Sequence, residues 1–76
     1  MNIVVIKDAS KHTTRVTGGG YAVTSIEICI DPEMTEREQI LTLFHEIVEA
    51  YLPCLSDTKI EEITDLFDKG LDSLVL

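Results

Sequence analysis

The run Ile3-Val4-Val5-Ile6 is short, β-branched and uninterrupted, and it predicts a first strand over residues 2–7. A second, more polar strand is expected over 12–17, ending at Gly18-Gly19-Gly20, where glycine supplies the positive φ of a hairpin loop. From Tyr21 the pattern alternates. Ala22, Thr24, Ile26, Ile28 and Ile30 share one face and Ser25, Glu27 and Cys29 take the other, which makes 21–30 the best-marked strand. Asp31-Pro32 ends it.

Beyond that break the period changes from two to 3.6. Thr35 followed by Glu38 reads as a capping box, opening a helix over about 35–52 that Pro53 stops. Thr58 and Glu61 read as another, opening a second helix through Ile60, Ile63 and Phe67 to about 74, with Gly70 as an earlier possible stop. The expected fold is α+β: an N-terminal antiparallel β-meander followed by a two-helix hairpin, in one domain over 1–76.

The first of these helices carries the chemistry. Ile40, Leu43, Phe44, Ile47, Val48, Ala50 and Tyr51 cover a broad apolar arc, while Glu38, Thr42, His45, Glu46 and Glu49 fill the polar remainder. His45 and Glu49 are four apart, so their side chains rise one turn from each other on one face and can share a cation. Glu46 follows the histidine, as in His-Glu-x-x-His helices, where two histidines bind zinc and the glutamate is the general base. Here Glu49 stands in the place of the second histidine. Without a metal, the same pair is a surface contact worth about 0.2–0.5 kcal/mol.

The strand ending at Ile28–Asp31, then Thr35, then Leu41-Thr42-Leu43-Phe44-His45-Glu46-Ile47-Val48-Glu49-Ala50 resembles the minimal zincin-like metallopeptidase domains of phages and prophages. The resemblance spans roughly 21–75, with about ten residues carrying the motif in the altered form His-Glu-x-x-Glu. It implies a metal site with His45 and Glu49 as ligands and Glu46 as catalytic base. A carboxylate is an accepted zinc ligand, but its presence where the pattern has histidine weakens the case for hydrolysis.

A third ligand is sought on the second helix, where Glu61, Asp65, Asp68 and Asp72 form an acidic stripe. In a hairpin turning through 53–57, residues equally far from the turn oppose each other. That places Asp65 opposite His45, with Asp68 and Glu61 as alternatives. One imidazole with two carboxylates is a hard donor set. Zinc is therefore expected to compete with manganese, iron or another divalent cation. His12 reads as a polar strand residue, and as a rival ligand should it approach His45.

Charge narrows the partners. Fourteen acidic residues against six basic ones give a formal net charge of −8, which repels nucleic-acid phosphates and anionic membranes. A peptide or protein partner is expected, and a homo-oligomer is compatible with the wide apolar arc. No apolar run approaches the length of a membrane span and no signal peptide is visible, so a cytoplasmic location is expected, with Cys29 and Cys54 as free thiols. The leading expectation is a zincin-like domain with a divalent-metal site, a degenerate metal-dependent peptidase. Against it stands an inactive structural or regulatory domain that binds proteins through an acidic surface. A third reading takes Glu46, Glu49, Glu62 and Asp65 as the magnesium-binding carboxylates of an all-α nucleotide pyrophosphohydrolase.

Overall fold

The computed structural model describes residues 1–8, 14–18 and 23–75. Strands β1 (Asn2–Lys7), β2 (Arg15–Thr17) and β3 (Ser25–Ile30) form one sheet, followed by helices α1 (Glu36–Tyr51) and α2 (Asp57–Val75). The α+β class is as expected from the sequence, and an all-α arrangement is not what forms.

The sheet order corrects the meander. It is β1-β3-β2, with β3 in the centre, antiparallel to β2 but parallel to β1. One physical feature favours this: the strand with the cleanest apolar face takes the position bonded on both edges. Ile3–Ile6 is a continuous β-branched run that suits an extended strand, but it carries no alternation of its own to fix its direction. Backbone bonds from Asn2 N–H to Thr24 and from Asp8 N–H to Ile30 extend the parallel ladder at its ends. With β3 central, its edges are taken, and the open edges belong to β1 and β2. Gly18 leaves β2 at φ 137°, in the region that favours glycine, and Thr24 closes onto the Thr17 carbonyl through both N–H and Oγ1. Gly19, Gly20 and the predicted strand residues 12–13 and 21–22 lie outside the described residues.

Ile26, Ile28 and Ile30 are buried and form the core with Val23, Leu43, Ile47 and Ala50 packed on them. Each fully buried isoleucine contributes about 2–3 kcal/mol of apolar transfer free energy. α1 therefore lies on β3, and α2 lies on α1 instead of on the sheet. β1 is left thinly covered: Ile3 and Val5, aligned with Ile26 and Ile28, remain 49 % and 41 % exposed.

Thr35 caps α1 as expected. Its hydroxyl accepts from Glu38 N–H, and the Glu38 side chain returns to the Thr35 backbone. Leu52 ends the helix immediately before Pro53. α2 starts one residue before the predicted box. Ser56 Oγ accepts from Lys59 N–H at 3.2 Å, so Ser56, not Thr58, is the cap. Nor does Gly70 stop the helix, which continues to Val75. Among the described residues, no helix is long and apolar enough to cross a membrane.

Candidate metal centre

α1 positions the site because two of its faces are already committed. Leu43, Ile47 and Ala50 are fixed against β3, and Phe44 is fixed against α2 by stacking on Phe67. At 100° per residue, this leaves His45 and Glu49 directed away from the sheet and Glu46 toward its β2 side. The His45 imidazole Nε2 lies 3.2 Å from Glu49 Oε2, with the two side chains 32 % and 51 % exposed. Glu46 joins them: one donor atom from each of His45, Glu46 and Glu49 lies within 4.8 Å of the others. This is the one group of His, Cys, Asp and Glu among the described residues that can hold a metal ion.

Glu46 has a second engagement. Thr14, just ahead of β2, donates its hydroxyl to Glu46 Oε2 across the sheet–helix gap. Nothing in the residue pattern singled out Thr14, because the contact joins positions 32 apart in sequence. Beside it runs an open groove of about 380 Å³ lined by Thr14, Val16, Val23, Glu46, Glu49 and Pro53. A smaller hollow of about 290 Å³ on the other side joins His45 and Glu46 to Leu41, Thr42 and Thr64.

The second helix does not bring Asp65 into this group. Asp65 is exposed, and its neighbour Thr64 is the residue that lines the hollow at His45, with its hydroxyl donated to the Ile60 carbonyl at 2.7 Å. Thr64, not Asp65, is therefore the residue of α2 beside His45, and one step of about 100° separates the two round the helix. Asp68 is otherwise occupied. Arg37 Nε donates to its Oδ1 at 2.7 Å, while Arg37 Nη2 donates to the Asp68 carbonyl at 2.6 Å and to Asp72 Oδ1 at 2.9 Å. The hydrogen bond to Asp68 is the main cause that raises the Arg37 pKa above its already high ordinary value; burial opposes it, and the charges of Asp68 and Asp72 add to the rise. Glu61 is exposed, and Glu62 pairs with Lys59 at 3.3 Å on its own helix. Cys29 and Cys54 are free thiols, and His12 lies outside the described residues.

Comparison with known proteins finds no matching family model, no matching curated protein and no matching solved structure.

Proposed function

We propose that this chain is a zincin-like, metal-binding domain that holds one divalent cation through His45 and Glu49, with Glu46 as third donor or as general base toward a bound water. The single observation that carries this reading is the convergence of the three donor atoms within 4.8 Å on one turn and a half of α1. The spacing is suitable for a metal. Ligands at about 2.0–2.1 Å in a tetrahedral shell stand about 3.3 Å apart, and Nε2 of His45 is 3.2 Å from Oε2 of Glu49. Two carboxylates offset the charge of a divalent ion, and the oxygen-rich set admits manganese or iron beside zinc.

A bound ion in such a site supplies Lewis acidity toward a carbonyl and its attacking water. The chain's own residues would do the rest. His45 offers a neutral ring nitrogen, and Glu46 receives the proton while the Thr14 hydroxyl orients its carboxylate. The groove along Val16, Val23 and Pro53 gives an extended peptide an apolar wall beside the open edge of β2.

A second reading is favoured by one specific feature: His45 and Glu49 satisfy each other without any ion. The chain is then a structural or regulatory domain acting through its acidic surface. Elemental analysis of protein purified without chelators or affinity metals, repeated on His45→Ala, separates the two. The metal reading expects about one ion per chain, lost in the variant. Protein free of metal that also binds zinc and manganese no more tightly than His45→Ala would leave the acidic-surface reading in its place. If metal is held, Glu46→Gln tests the chemistry, since a peptidase would lose turnover by at least about 100-fold while keeping its ion.

A further inference from the structure

α2 carries an apolar stripe that the described residues leave open. Ile63, Leu66, Phe67, Gly70, Leu71 and Leu74, with Phe44 of α1 at one side, line a groove of about 550 Å³. Leu66 is 66 % exposed and Leu74 80 %. The stripe occupies one side of the helix, and Glu61, Asp65, Asp68 and Asp72 lie about 160° round from its centre. A partner on the apolar side therefore does not meet the acidic stripe.

Size indicates how much surface is missing a cover. The chain exposes 5560 Å², whereas a folded chain of 8.5 kDa is expected to expose roughly 4650 Å². The radius of gyration is 13.2 Å against about 11.4 Å for a compact domain of this length. The excess of roughly 900 Å², shared between the α2 stripe and the exposed Ile3, Val4 and Val5 of β1, is of the order of what each partner buries in a stable interface.

Gly70 indicates the occupant. It sits inside a helix, where glycine costs about 1 kcal/mol relative to alanine, and a side chain built there would meet nothing within 4 Å. The packing of the described residues therefore gives no reason for a gap at that position. We propose that the groove is filled by α2 of a second copy, antiparallel about a twofold axis. With the axis passing between residues 68 and 69, Ile63 faces the partner's Leu74, Leu66 faces the partner's Leu71, and Phe67 seats over the partner's Gly70. Every apolar residue then meets an apolar residue, and the largest side chain meets the smallest. A stripe that matches itself when reversed is what an isologous interface requires.

Sedimentation equilibrium of the full chain at micromolar concentration, with chelator present so that the metal site has no influence, tests this. The expected mass is twice 8.5 kDa. Leu66→Asp and Leu74→Asp alter side chains already exposed in one chain, so the fold persists by circular dichroism while the mass falls to that of the monomer. Gly70→Leu, whose Cβ meets nothing within 4 Å in a single chain, raises the dimer dissociation constant by about tenfold or more through overpacking against Phe67. A wild type that stays monomeric overturns the proposal. A dimer indifferent to the two aspartates overturns the assigned face, and one unaffected or tightened by Gly70→Leu overturns the register.

Discussion

Phe44 of α1 and Phe67 of α2 lie face to face, with ring centroids 4.2 Å apart and planes 6° from parallel. Because α2 rests on α1 and not on the sheet, this pair is a main fastening of the last helix to the rest of the chain. Both rings are half-buried, so Phe67→Ala is expected to cost about 2–3 kcal/mol, below the range for a fully buried phenylalanine. Phe67→Leu should cost less than half as much. Urea unfolding, extrapolated to low protein concentration so that self-association does not contribute, measures both.

The two helix starts give a paired prediction. Thr35→Ala removes a cap whose hydroxyl accepts from Glu38 N–H and should cost about 1 kcal/mol. At α2 the same loss is expected from Ser56→Ala, whose hydroxyl accepts from Lys59 N–H. Thr58→Ala, within the first turn, should change stability by less than about 0.5 kcal/mol. Thermal or urea unfolding of the three variants distinguishes a cap at 56 from one at 58.

That contrast shows what was legible in the residues. Local signals were read correctly wherever one short-range interaction decided the outcome: the Thr35–Glu38 box, the Asp31-Pro32 break, and the alternation that buries Ile26, Ile28 and Ile30. Ser56 and Thr58 are both competent caps two residues apart, and residue type alone does not choose between them. The parallel pairing of β1 was not legible in the same way: Ile3–Ile6 has no alternation to fix its direction, and Ile3 and Val5 stay 49 % and 41 % exposed, so burial on both faces is not what selects it. The site divides the same way. His45, Glu46 and Glu49 converge because helical spacing within one element brings them together. Asp65 and Thr14 depend on the rotation of α2 and on where the start of β2 lies against α1, and neither is written in local spacing.

Arg37 is the cation that ties α1 to the acidic side of α2, bonded to both Asp68 and Asp72. Arg37→Met keeps much of the aliphatic stem but removes the charge, leaving Glu61, Asp65, Asp68 and Asp72 facing one another with weaker compensation. A lower melting temperature is expected in dilute buffer. Most of the difference should disappear near 1 M salt, where the Debye length is about 3 Å. A loss that persists unchanged in high salt would assign the effect to the bond with the Asp68 carbonyl instead of to charge.

Glu49→His restores the second histidine of the His-Glu-x-x-His pattern at a position already one turn from His45. Side-chain length favours the exchange, since Glu49 Oε2 already reaches to 3.2 Å of the imidazole and the site is half open to solvent. Replacing an oxygen donor by a second imidazole softens the set, so zinc affinity should rise by about tenfold or more while manganese affinity falls. Acidification should weaken zinc binding more steeply in the variant than in the wild type, because two imidazoles must then be neutral to coordinate. Calorimetric titration with both metals, at neutral pH and again one to two pH units lower, measures each of these effects. If Glu49→His gains no affinity for either ion, the side chains at 45 and 49 do not share a metal, and the contact between them is an ordinary ion pair on a helix surface.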